Sequence, residues 1–264
     1  MRKSLRAAAI GAACAVAGAA LYGTGVATAG QSTANSTHEP YNIGLLVKDI
    51  DTYYGATLDS NGVYQASKDS QYAKDLARLE SSAKRSIDKA AHKAKRHGEK
   101  PAVVFDIDDT LLLSLDYEKK TNYTYNSTTW ADYVAKADRP AVFGTPELVA
   151  YAKSKGVEVF YNSGLKESQR VSAVANLKKV GADINLDADH MFLKDAANPP
   201  AYLSDCATAA AWNCTTVQYK SGTRKHIESL GYDIVANFGD QYSDLEGGYA
   251  DKKYKLPNPT YFVS

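Results

Sequence analysis

The sequence predicts an α/β protein in which a parallel sheet carries helices on both faces. Short apolar runs of buried-strand type recur at 102–105, 157–161, 190–193 and 233–238. Helix-patterned segments separate them, and Gly181 and Gly231 close two of those helices. Strands alternating with helices indicate crossover units, and crossover units make parallel sheets.

Residues 30–40 are polar and rich in Ser, Thr and Asn, and read as a loose tail. Ile43, Leu46, Val47, Ile50, Tyr53 and Tyr54 then recur at helical spacing, and Asp59-Ser60-Asn61-Gly62 reads as a turn. A longer helix follows, with Leu76, Leu79, Ala83, Ile87, Ala90 and Ala94 on one face. Its basic end, from Lys84 to Lys100, reads as a solvated helix face rather than a nucleic-acid patch. Residues 41–100 thus form a helical N-terminal part, ended by Gly98 before Pro101 opens the first strand. Between Leu111 and Gly144 the alternation lapses into a polar insertion carrying Tyr117, Tyr123, Tyr125, Trp130 and Tyr133. Beyond it come the 157–161 strand, a helix over 167–180, the 190–193 strand, a helix continuing through 224–230, and the last strand.

The chain opens with Arg2, Lys3 and Arg6, followed by an uncharged run from Ala7 to Gly30 and the A-x-A site Ala27-Thr28-Ala29. This pattern reads as a secretory signal peptide over 1–29, cleaved after Ala29. A transmembrane anchor is disfavoured because the run is mostly Ala and Gly. Lipidation at Cys14 is disfavoured because Gly11-Ala12-Ala13 lacks a large aliphatic residue. The expected product is secreted, with no stable membrane association after cleavage, and retains Cys206 and Cys214. In an oxidising compartment that close pair is expected to form a disulfide.

Composition narrows the function classes. Hydrophobic residues make up 44% and charged residues 23% of 264, which excludes a disordered chain, a collagen and a polytopic membrane protein. A net charge of +1 makes no electrostatic case for a nucleic acid polymer as partner. The five histidines show no metal-ligand spacing, and no Gly-rich P-loop appears. Nothing in the pattern specifies an oligomer.

The reactive groups gather at predicted strand ends, where open parallel sheets bind ligands. The first strand runs into Asp106-Ile107-Asp108-Asp109-Thr110-Leu111. Clustered carboxylates after a buried strand are costly unless a cation or a reaction uses them. Alternate residues of an extended chain point the same way, so Asp106 and Asp108 can converge. An EF-hand loop is excluded, because Leu111 and Tyr117 stand where it needs glycine and glutamate. The second strand ends in Asn162-Ser163-Gly164, read as a turn entering a helix, where a hydroxyl and free N–H groups suit phosphate. The last strand ends in Gly239-Asp240, with Asp244 four residues on, and Lys220 precedes it at a helix start. Lys194 is the rival lysine.

The runs FDIDDTLL (105–112), VFYNSG (159–164) and YKSGTRKHIESLGYDIVANFGDQYSDL (219–245) resemble the haloacid dehalogenase superfamily. More narrowly, they resemble its subfamily IIIB secreted acid phosphatases, the class B-like group that includes plant vegetative storage proteins. The resemblance implies a Rossmannoid three-layer α/β/α core, with the 111–144 insertion as a small cap. It implies Asp106 as the nucleophile of a phospho-aspartyl intermediate and Asp108 as general acid and base. It assigns Ser163, Gly164 and Lys220 to the phosphoryl group. It assigns Mg²⁺ to Asp106, the backbone carbonyl of Asp108, Asp240 and Asp244. The implied substrate is a small phosphomonoester, and the implied pH optimum is acidic. The competing class is a storage or phosphate-ligand-binding protein with little turnover on the same scaffold. One departure stands out: many relatives have Thr-Gly-Arg where this chain has Ser163-Gly164-Leu165.

Overall fold

The architecture is set by five parallel strands in a computed structural model that describes residues 40–264. The expected signal peptide and almost all of the polar tail lie outside the described residues. The chain begins with α1 (Ile43–Tyr54), whose N-terminus is capped by the Asn42 side chain, then a hairpin of β1 (Thr57–Leu58) and β2 (Tyr64–Gln65). In α1 the helical spacing overstates burial. Ile50 and Tyr54 are buried, whereas Ile43 and Leu46 face solvent, because the C-terminal end of the helix is the part that reaches the core.

The long α2 (Gln71–His97) leads into β3 (Lys100–Phe105), the central strand. The insertion then folds as two short helices, α3 (Leu115–Lys120) and α4 (Ser127–Ala135). The alternation resumes with α5 (Thr145–Ser154), β4 (Glu158–Lys166), α6 (Arg170–Lys179) and β5 (Met191–Lys194). A small hairpin of β6 (Ala207–Thr208) and β7 (Ala211–Trp212) is stapled by the expected disulfide between Cys206 and Cys214. The chain closes with α7 (Thr216–Ser229), β8 (Tyr232–Gly239), the single turn α8 (Tyr242–Leu245) and β9 (Lys253–Lys255).

Strand order is β5-β4-β3-β8-β9, so the chain leaves β3 toward one side and returns on the other. The two-residue period of β3 builds both layers of core. Val103 and Phe105 pack with Leu76 and Ile87 of α2, Leu148 of α5 and Leu177 of α6. Ala102 and Val104 face the opposite way, onto Ile227 of α7. The expected three-layer arrangement is therefore present. Among the described residues no helix is long and apolar enough to cross a membrane.

One boundary is corrected. Ser163-Gly164 does not open a helix: β4 runs on to Lys166, and a short 3₁₀ turn precedes α6. The reason is packing. Leu165, standing where many relatives carry arginine, buries its side chain in the core and keeps the backbone extended. Neither β9 nor the β6–β7 hairpin has a sequence pattern long enough to announce it.

Candidate active site

Three of the carboxylates named from sequence converge at the carboxyl ends of β3 and β8. Asp106, Asp240 and Asp244 each bring an oxygen within 4.8 Å of the others, and all three are buried. Backbone geometry builds this cluster. The Asp106 N–H donates to the Phe238 carbonyl at 2.9 Å, extending the β3–β8 ladder to Asp106. Gly239 lets α8 fold back, since an added Cβ would collide with the Asp244 side chain. Arg224 of α7 holds the returning loop by donating to the carbonyls of Asp244, Glu246 and Gly248.

Lys220 is the cluster's cation. It is 2% exposed, and its Nζ donates to Asp106 Oδ1 at 2.5 Å, pairs with Asp244 Oδ1 at 2.9 Å, and donates to the Asn162 carbonyl. The Asn162 side chain returns a bond to the Lys220 carbonyl at 2.9 Å, so the two residues fix each other. Burial by itself would depress the ammonium, but Asp106 and Asp244 outweigh it and hold Lys220 above the ordinary lysine value. Asp240, the third carboxylate of the cluster, has no contact with that ammonium. Burial, then Asp244, pushes Asp240 up to about 7, although Asn258 and Gln241 each donate to it at 2.7 Å. The rival Lys194 stands elsewhere, over the Trp212 ring at 5.0 Å.

Asp108 lines the same crevice, but its carboxylate turns away from the three to meet Arg139 Nη1 at 2.6 Å. The sequence offered no sign of Arg139. It lies in the insertion after α4, is buried against Trp130, and is held by paired amide bonds between its backbone and Asn176 of α6. Asp109 also leaves the cluster. With φ at 51° it turns back, and its carboxylate accepts from the N–H and hydroxyl of Ser114, closing the loop after β3. Ser163 is fully buried, its hydroxyl accepting from the Leu165 N–H at 3.2 Å, while the exposed Gly164 lines the crevice beside it.

A cavity of about 470 Å³ adjoins the crevice, sharing Asp108, Gly164, Thr216, Tyr261 and Val263 with it. The insertion's aromatic residues divide their roles. Tyr117 and Tyr133 pack against Trp130 as its core, while Tyr123, Tyr125 and Trp130 line the cavity. Glu118 also lines it, and burial, with Asp109 adding to it, pushes this carboxyl up to about 7. The C-terminal residues form another wall. They dock as the Val263 N–H donates to Gln241 Oε1 at 3.1 Å and the Ser243 hydroxyl donates to the Val263 carbonyl at 2.9 Å.

Residues 27–264 match the model of the HAD superfamily, subfamily IIIB (acid phosphatase). The chain is 34% identical over 169 residues to the stem 28 kDa glycoprotein of Glycine max, covering 62% of this chain and 61% of that protein. It is 31% identical over 164 residues to vegetative storage protein 1 of Arabidopsis thaliana, covering 61% and 54%. It is 29% identical over 164 residues to acid phosphatase 1 of Solanum lycopersicum, covering 61% and 58%. The chain thus spans little more than half the length of these curated relatives. The class C acid phosphatase of Bacillus anthracis superimposes with a TM-score of 0.54 at 25% identity, covering 73% of this chain and 81% of that one.

Proposed function

Because this chain belongs to HAD superfamily subfamily IIIB (acid phosphatase), we propose that it is an exported, Mg²⁺-dependent phosphomonoesterase acting through a phospho-aspartyl intermediate. The single observation that carries the reading is the buried triad of Asp106, Asp240 and Asp244, with Lys220 paired to the first and last of them. An all-oxygen donor set with surplus negative charge fits a hard dication, with Asp106, Asp240, Asp244 and the Asp108 carbonyl holding it. A divalent cation there supplies charge that keeps an anionic nucleophile and an anionic substrate from repelling each other.

The residues act in two displacements. An Asp106 carboxylate oxygen forms a bond to phosphorus as the bond to the leaving oxygen breaks, and Asp108 gives that oxygen a proton. Asp108, now a carboxylate oriented by Arg139, takes a proton from the water that attacks phosphorus and releases Asp106. Lys220 stays charged throughout, opposing the negative charge that builds on the phosphoryl group and Asp106. Gly164 and Ser163 flank the phosphoryl position, with 111–144 as a cap over the leaving group. The disulfide and the N-terminal pattern support export.

The test is hydrolysis of p-nitrophenyl phosphate by the metal-stripped protein. Magnesium is expected to restore turnover lost in EDTA; no restorable hydrolysis favours the storage reading, which the names of some relatives invite. The Asp106→Asn variant is expected to lose turnover by roughly a thousandfold or more while melting as a folded protein, since removing a nucleophile removes the covalent route. Near-normal activity in that variant rejects the assignment. A rate profile peaking well above neutral pH rejects the acidic optimum.

A further inference from the structure

We infer that Glu118 determines substrate specificity by binding a cationic amine on the leaving group of the phosphomonoester. The inference rests on the phosphatase reading and goes on to the class of alcohol released. Glu118 is 6% exposed, and no donor of the described residues reaches its carboxyl group. Every other buried acid among them has a partner. Asp106 and Asp244 take Lys220, Asp109 takes Ser114, Asp116 takes the Tyr64 N–H and Lys120, and Asp240 takes Gln241 and Asn258. A carboxyl that faces an aromatic-walled cavity without a donor is poorly solvated, and a ligand that pairs it recovers that cost.

Position says which ligand. Glu118 lines the cavity that shares Asp108 and Tyr261 with the crevice, so a phosphoryl group beside Asp106 sends its leaving group toward Glu118. The surrounding walls are aromatic: Trp130 and Trp212 already face Arg139 and Lys194, whereas Tyr123, Tyr125 and Tyr261 carry no cation of the described residues. Aromatic faces carry negative charge density and favour a cation with an apolar body. Of the basic side chains nearest the cavity, Arg139 is committed to Asp108 and Lys194 to Trp212. The matching leaving group is therefore an apolar or aryl alcohol bearing an ammonium group.

Two esters of similar phenols separate this from general turnover: 4-(2-aminoethyl)phenyl phosphate and the neutral 4-ethylphenyl phosphate. Assayed at about pH 8, above the value of about 7 to which burial raises Glu118, the wild-type kcat/KM is expected to favour the amine about tenfold or more, the range of a charge-assisted hydrogen bond. Glu118→Gln is expected to bring that ratio close to one. A wild-type ratio near one, or a ratio unchanged in Glu118→Gln, overturns the inference. If neither ester is hydrolysed, the phosphatase reading fails, and calorimetry with the free phenols still tests the pocket. Tighter binding of 4-(2-aminoethyl)phenol than of 4-ethylphenol, lost in Glu118→Gln, upholds the inference; equal binding overturns it.

Discussion

Lys220 shows how one side chain holds the site together. Its ammonium is enclosed by Asp106, Asp244 and the Asn162 carbonyl, with almost no contact with water. Replacing it with methionine keeps the volume and leaves the carboxylates unpaired. Lys220→Met is expected to cost about 3–5 kcal/mol at pH 7, the usual penalty for breaking a buried pair. The loss should shrink near pH 4, where Asp106 and Asp240, both raised chiefly by burial, take up protons. Urea melts of the metal-free protein at the two pH values check this; an equal loss at both rejects it. Asp106, Asp240, Asp244 and Lys220 were legible as residues because they sit at strand ends in recognisable runs. Arg139 and Glu118 were not, since their significance comes from partners gained, or lacking, in space.

Secondary elements divide the labour of building the crevice. The β3 and β8 termini present the carboxylates, α7 supplies both Lys220 and the Arg224 clamp, and the insertion supplies aromatic walls. The segment after β9 completes the enclosure. Its Asn258 donates to Asp240, and Tyr261, Phe262 and Val263 line the cavity. Deleting residues 261–264 opens that wall while leaving Asn258 and the carboxylate cluster in place. The expected outcome is a KM for 4-ethylphenyl phosphate raised about fivefold to tenfold with kcat changed less, as loss of binding shared by ground and transition states predicts. A fall in kcat at constant KM would place the tail in the chemistry instead. Its docking to Gln241 and Ser243 left no periodic trace in the sequence, because side-chain bonds to irregular backbone follow no repeat.

At the scale of the whole molecule, the site is stored charge within an apolar fold. Asp240 and Glu118 have values of about 7 and Asp106 is raised as well, against 3.8 for an ordinary aspartate and 4.5 for a glutamate. Between those ordinary values and about 7 the folded protein holds more protons than the unfolded chain, so metal-free stability falls as pH rises through that window. Lowered carboxylates such as Asp59 and Asp88 act oppositely, but solvent screens them. On the proposed reading Mg²⁺ takes the deprotonated cluster, so it is expected to raise Tm more at pH 7 than at pH 5. Melts in EDTA and in Mg²⁺ measure this, and a shift of equal size at both pH values contradicts it. The sequence by itself determined the parallel α/β layering, the carboxylate runs at its strand ends and the cysteine pair, because each is written in local periodicity, spacing or motif. Tertiary structure alone decided that Asp108 turns to Arg139, that Asp109 closes its own loop, that β4 outruns Ser163 and that Glu118 stands unpaired. Those outcomes depend on which distant side chains share a buried volume, and short-range pattern carries no record of that.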